Sequence, residues 1–378
     1  MRTPRHGDVE VTGRCNLRCR YCYRGGAGSG APGGRAGREL TTGEWQRFFG
    51  ELGECAVMTV ALAGGEPFLR ADLPELLAAV RAGGMRFQVL SNGGLVDERA
   101  AAAVAEGGRC DSVQVSLDGG RAEAHDRMRG AGSFAAAVRG VRVLQRAGVN
   151  VTVRLTVHRG NVDELEPAVR FILEELGVAA VSTNAAAALG SCAGPDAGAG
   201  GDEGILLTVR ERERAMAALA ALAERWPGRV TANAGPLADA RMWGRMAAAR
   251  RAGEAAFPEG GRLTGCGCAG EQLAVRADGV YIPCLLLPAV ELGRVGVDPL
   301  RKVWGEAPAL VAMRRRRQVA LAGLAACAGC GYAPYCTGNC PAVVVGAGGG
   351  FEAPAPEACL RRFLESGGRL PEPAGVSS

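Results

Sequence analysis

No run of about eighteen uninterrupted apolar residues occurs in the chain, so no membrane-spanning helix is expected. The opening residues, MRTPRHGDVEVTGRC, lack the apolar core of a signal peptide, and a cytoplasmic location is expected. Neither sign of charge dominates: 44 Lys and Arg stand against 39 Asp and Glu, a net +5 that speaks against a dedicated nucleic-acid binder. Histidine is almost missing; His6, His125 and His158 stand alone, and none is assigned a role. The chain of 378 residues, 48% of them hydrophobic, is long enough for two or three domains around a sizeable core.

Cysteine is abundant. There are 14, and 11 of them fall into tight groups, leaving Cys55, Cys110 and Cys192 as isolated, small buried hydrophobes. In a chain expected to stay in the cytoplasm, clustered cysteines point to metal binding before disulfides.

From residue 8 to about 184, short apolar runs alternate with amphipathic segments. Strands are expected at Asp8–Gly13, Ala56–Leu62, Arg86–Leu90, Ser112–Leu117, Asn150–Val157 and Ala179–Thr183, with the β-branched content of buried parallel strands. Thr41 with Glu44 reads as a capping box, and Asp72, Asp97, Ser133 and Asp163 as further helix N-caps. Six strand–helix units make an α/β fold, a partial parallel (β/α)6 barrel short of the eight units of a closed one. Helices are expected at about 206–226 and 236–252, and from Cys266 onward a small domain organised around metal.

After the first strand comes Cys15-Asn-Leu-Arg-Cys19-Arg-Tyr21-Cys22. Three thiolates at this spacing can hold three irons of a cubane and leave the fourth open; a zinc site is the alternative. The segment resembles the CxxxCxxC signature of the radical S-adenosylmethionine (SAM) superfamily, including the aromatic Tyr21. That resemblance implies a 4Fe–4S cluster whose open iron chelates SAM, and reductive cleavage of SAM to a 5′-deoxyadenosyl radical. Further residues match in order. Gly64-Gly65-Glu66-Pro67 is similar to the motif that contacts the SAM amino group, although by itself it could be an ordinary βα turn. Ser91-Asn92-Gly93 falls where relatives line the cavity. Ser116 and Asp118 resemble ribose or carboxylate contacts, and Arg154 the arginine for the SAM carboxylate.

The later cysteines resemble the SPASM extension, which carries two auxiliary 4Fe–4S clusters, so three clusters are expected in all. The pattern is Cys268, Gly279, Cys284, then Cys327-x2-Cys330-x5-Cys336-x3-Cys340 and Cys359. The resemblance implies that Cys268, Cys284 and Cys340, with Cys266 as a fourth ligand or an open iron in its place, hold one cluster. Cys327, Cys330, Cys336 and Cys359 would hold the other, and two zinc sites are the alternative. The expected boundaries are 1–204 for the barrel, 205–260 for linking helices and 261–378 for the extension. The run Arg314–Arg317 reads as a solvated helical face.

The family resemblance implies a peptide or protein substrate, with a haem or tetrapyrrole precursor as the alternative, and a flavodoxin- or ferredoxin-like electron donor. Sulfatase maturation is disfavoured, because Leu285 stands where that branch carries a basic Asp, and a hydrocarbon cannot take a proton. Too few residues precede the first strand for a leader-binding module, so leader recognition is expected from a separate leader-binding protein or from the barrel and SPASM surfaces, and the same feature also fits a small-molecule substrate. A non-catalytic iron–sulfur electron carrier is the reading from another class.

Overall fold

The computed structural model describes residues 3–25, 38–192, 204–264, 267–346 and 348–371. Six parallel strands pair in chain order: β1 (His6–Thr12), β2 (Thr59–Gly64), β3 (Arg86–Ser91), β4 (Cys110–Ser116), β5 (Val151–Val157) and β6 (Ala180–Ala185). All six lie within three residues of the expected positions at their N-terminal ends. Helices connect them: α1 (Thr42–Glu54), α2 (Leu73–Ala82), α3 (Glu98–Ala105), α4 (Ala122–Arg129), α5 (Ser133–Arg146) and α6 (Leu165–Arg170).

Alternation along the strands decides what each face of the sheet does. Val9, Val11, Val60, Leu62, Phe87, Val89, Val113, Val115, Val153 and Leu155 are buried on one side, beneath Trp45, Phe48 and Phe49 of α1 and Leu76, Leu77 and Val80 of α2. Residues of the other parity are polar on most strands, Asp8 and Glu10, Gln88, Gln114 and Ser116, Arg154, then Ser182 and Asn184, with Ala61, Ala63 and Leu90 among them. Side chains two apart share a face, so one face of the sheet is apolar and the other carries most of the polar side chains.

The sheet continues beyond the six units. After α7 (Val209–Arg225), strand β7 (Val230–Ala232) pairs parallel with β6, and α8 (Pro236–Ala252) follows. Strand β8 (Gln272–Val275) pairs parallel with the opposite edge, on β1, and leads through β9 (Val280–Ile282) to β10 (Gly293–Arg294), both antiparallel. The order β10-β9-β8-β1-β2-β3-β4-β5-β6-β7 leaves two unpaired edges among the described residues, so the sheet stays open. Leu300, Val303 and Trp304 of α9 (Leu300–Glu306) and Leu310 and Met313 of α10 (Pro308–Arg315) join the same core as β1. Part of the cysteine-rich segment is thus welded to the barrel. No helix among the described residues is long and apolar enough to cross a membrane.

The expected caps meet mixed outcomes. Thr41 and Glu44 form the capping box, and Asp97 caps the Ala100 amide at 2.8 Å. Asp72 stands at the cap position but makes no cap bond, because Arg70 takes its carboxylate at 2.6 and 2.9 Å. Ser133 lies inside α5; the carboxylate that serves that turn is Asp126, accepting from the Gly132 and Phe134 amides at 2.7 Å each. Asp163 lies in a short 3-10 turn and caps no helix.

Candidate active site

The loop leaving β1 carries Cys15, Cys19 and Cys22, all half-buried and none in a disulfide. Two of the sulfurs already have donors. The Leu17 amide reaches Cys15 Sγ at 3.4 Å and Asn92 Nδ2 reaches it at 4.0 Å; Arg129 Nη1 lies 3.9 Å from Cys19 Sγ. N–H donors and a guanidinium favour the thiolate, the form that ligates metal. Without metal, burial pushes the Cys19 thiol up to about 11, with the Arg129 charge pulling the other way.

Glycine explains how this loop lies so close to the sheet. A Cβ on Gly65 would sit 1.9 Å from the Arg14 carbonyl oxygen, and one on Gly64, whose φ is +136°, 2.2 Å from that of Thr12. In their place the Gly65 and Glu66 amides donate to Thr12 and Arg14, both at 2.8 Å. The two glycines thus admit the chain's own cysteine loop. Glu66 is enclosed at 0% exposure, and its carboxylate accepts from Ser91 Oγ at 2.8 Å and from the Asn92 and Phe68 amides at 2.8 and 3.2 Å. Burial raises its carboxyl to about 7 despite these bonds. Pro67, also buried, opens the short turn that follows.

Asn92 bridges toward the cysteines, its Nδ2 donating to Asn16 Oδ1 at 2.8 Å. Asp118, expected as a ribose or carboxylate contact, is fully buried in a polar knot. It pairs with Arg129 Nε at 2.6 Å, accepts from the Thr156 amide at 3.0 Å, and receives the Tyr21 hydroxyl. Burial works against the carboxylate, but Arg129 and the hydrogen bonds outweigh it and hold the carboxyl below its usual range. Tyr21 is spent on this knot through its hydroxyl, with the Arg129 guanidinium 5.3 Å from its ring centre.

Ser116, the last residue of β4, is the register partner of Arg154 in the middle of β5. Arg154 donates to Gln114 at 3.1 Å and faces no acid among the described residues; burial pushes its pKa down. A half-buried guanidinium with no acidic partner among the described residues, beside the C-terminal end of β4, suits an anionic group.

Sequence reasoning passed over several contributors. Glu10 and Arg24 form a buried pair at 2.9 Å, and Arg24 also donates to the Gly13 carbonyl at 2.9 Å, bracing the start of the loop. Glu39 accepts from Thr12 Oγ1 at 3.0 Å and from the Gly13 amide at 2.8 Å. His125 and His158 are buried and pushed down to about 4 by burial; His125 Nδ1 accepts from the Asp118 amide at 3.2 Å. Only a buried charge beside the cysteine motif could have flagged Glu10 and Arg24.

In the C-terminal segment the cysteines sort into two neighbourhoods. Cys268, Cys284 and Cys340 pack against the main core, whereas Cys327, Cys330 and Cys336 pack around Leu263, Leu321 and Ala333. Burial raises the Cys327 thiol, and Cys336, Cys330 and Cys359 are close enough to raise it further. Cys266 lies outside the described residues. Gly279 takes a left-handed turn, φ +82°, between β8 and β9, and Leu285 packs beside Ala274, Val280 and Ile282.

The arginine run departs from expectation. Arg316 is buried, donating to the Phe351, Leu263, Gly338 and Asn339 carbonyls, and Arg314 donates to the Ala269 and Trp304 carbonyls. In a segment poor in regular structure, arginine forks satisfy the carbonyls that no strand or helix pairs.

Residues 9–172 match the model of the radical SAM superfamily. The chain carries a radical SAM domain. Proteins similar to it over this domain are enzymes of two kinds. The Fe-coproporphyrin III synthase of Methanosarcina barkeri is 39% identical over 166 residues, 44% of this chain and 40% of that protein. The mycofactocin maturase MftC of Mycobacterium ulcerans is 38% identical over 158 residues, 42% of this chain and 41% of that protein. The chain thus spans under half the length of either relative. Solved structures extend the likeness in fold past the radical SAM domain. Streptococcus suis SuiB bound to its precursor peptide SuiA superposes with a TM-score of 0.72 at 14% identity, covering 95% of this chain and 76% of SuiB. The structure of anSMEcpe with bound AdoMet gives 0.69 at 17% identity and covers 96% of both chains.

Proposed function

We propose that the chain reductively cleaves SAM and uses the product radical to take hydrogen from a peptide or protein substrate. The observation that carries this reading is the set of three half-buried thiols on one loop that leaves β1, two of them already faced by donors. The donor set fits an iron–sulfur cluster: soft sulfur ligands, three in number, leaving one position for a small molecule. Such a cluster, when bound, supplies the electron that breaks a carbon–sulfur bond of SAM. Cys15, Cys19 and Cys22 would hold it. Arg154 and Ser116 would receive the carboxylate end of SAM, and the strand-end backbone around Gly64 and Asn92 would bound its amino end.

The two cysteine neighbourhoods support two auxiliary clusters, one on Cys268, Cys284 and Cys340 with or without Cys266, and one on Cys327, Cys330, Cys336 and Cys359. The peptide reading draws on the fold shared with SuiB along nearly the whole chain and on the mycofactocin maturase. A tetrapyrrole substrate is the second reading, favoured by the 39% identity to the coproporphyrin synthase.

The test is anaerobic purification, iron and sulfide counting, and an assay for reductant-dependent 5′-deoxyadenosine. About 12 iron per chain are expected, three cubanes, falling to about 8 in the Cys15/Cys19/Cys22→Ala variant with cleavage abolished. Zinc in place of iron, or wild-type iron with no SAM cleavage, would overturn the reading.

A further inference from the structure

The segment His125-Asp-Arg-Met-Arg129, which the SAM contacts do not account for, grips the cysteine loop at Cys19 and Arg20, farther along it than the glycine pair at Thr12–Arg14. The Arg20 amide donates to the Met128 carbonyl at 2.9 Å, so the last turn of α4 holds the loop's backbone between Cys19 and Cys22. From the next residue, Arg129 reaches Cys19 Sγ with Nη1 at 3.9 Å and lies over the Tyr21 ring. Its remaining nitrogens are spent on Asp118, Nε at 2.6 Å and Nη2 at 3.4 Å. Asp118 in turn receives the Tyr21 hydroxyl and the Thr156 amide, which ties the knot to β5. Asp126 fixes the turn between α4 and α5, just past Arg129, through the Gly132 and Phe134 amides and Ser133 Oγ at 3.0 Å. Arg129 is 7% exposed and Asp118 0%, so their charges act in a medium that screens them weakly.

We propose that Arg129 is a positioning residue that sets both the seat of Cys19 and the reduction potential at the three-cysteine site, and that Asp118 is the counter-ion that limits its effect. The inference rests on the reading that Cys15, Cys19 and Cys22 hold a redox-active cluster. Reduction adds one negative charge beside the Cys19 sulfur. A buried guanidinium in contact with that sulfur favours the reduced form and raises the potential. The adjacent carboxylate opposes it. Orientation and charge thus come from one side chain, because the guanidinium fork reaches a sulfur and a carboxylate at once while lysine offers a single point charge.

The sign of the response separates this from a merely structural role. In the full chain with its clusters assembled, the cluster in question is the one whose reduced EPR signal changes on adding SAM, and its midpoint potential is read by redox titration beside the iron count. Arg129→Gln should shift that potential negative by at least tenfold in the one-electron equilibrium, about 59 mV. Asp118→Asn should shift it positive, and Arg129→Lys should recover part of the Arg129→Gln loss. If Arg129→Gln fails to hold iron, the direction of the Asp118→Asn shift decides the matter. Wild-type potentials in both variants at full iron, or shifts of the same sign in both, would overturn the proposal. A wild-type protein with no SAM-sensitive iron signal would instead overturn the reading of the three cysteines beneath it.

Discussion

Gly65→Ala tests how the cysteine loop is seated. The added methyl would lie 1.9 Å from the Arg14 carbonyl oxygen, 2.4 Å from its carbon and 2.9 Å from the Gly13 oxygen. All three are backbone atoms, so no side chain can swing aside, and the loop must retreat by about an ångström, a distance set by close packing. That movement breaks the hydrogen bonds from the Gly65 and Glu66 amides, both 2.8 Å. Two backbone bonds at about 1 kcal/mol each and overpacking at about 1–3 kcal/mol give a total near 3–5 kcal/mol. Against a typical stability of about 5–15 kcal/mol, that is a large fraction. Thermal melting should fall by roughly 4–6 °C, and about four irons should be lost, those of the three-cysteine site. Gly50→Ala is the control: it lies on the exposed face of α1 with nothing within 4 Å, and should be neutral or stabilising by up to about 1 kcal/mol. A Gly65→Ala protein that melts with wild type and keeps all its iron would refute the account of why glycine stands there.

Glu66 predicts a pH dependence. Its carboxyl is raised from 4.5 to about 7, so between these values the unfolded chain ionises first and the folded state holds the extra proton. Its contribution is therefore complete below pH 4.5 and is lost as pH rises toward 7. Melts of wild type and Glu66→Gln from pH 5 to 8 should show that slope in wild type only, with the variant about 1–3 kcal/mol weaker, because an amide sets a donor against the Asn92 N–H; parallel profiles would contradict it. Glu51→Ala removes the acceptor that the Leu300 amide uses at 2.6 Å, and should speed hydrogen exchange in residues 300–313 while leaving β3–β5 unchanged. Cys336→Ala should remove about four irons and spare the SAM-sensitive signal; loss of that signal would merge sites that the packing keeps apart.

The six parallel strands could be read from the sequence because buried strands carry local runs such as Val151–Val157, whose β-branched residues need no distant partner to be recognised. The cysteine motif, the glycine pair and the Thr41–Glu44 box were likewise local patterns with local causes. What the tertiary structure decided was where charges and edges end up. Strand β8 beside β1 joins residues far apart in the chain, and its four-residue run, Gln272–Val275, is too short to announce itself. Asp72 lost its cap to Arg70 two residues away, and Asp118 met Arg129 and Tyr21. Arg316, which reads as part of a solvated basic run, is buried among four loop carbonyls. A composition shows which side chains can pair; only the fold brings a guanidinium, a carboxylate and a sulfur within a few ångströms in a medium that no longer screens them.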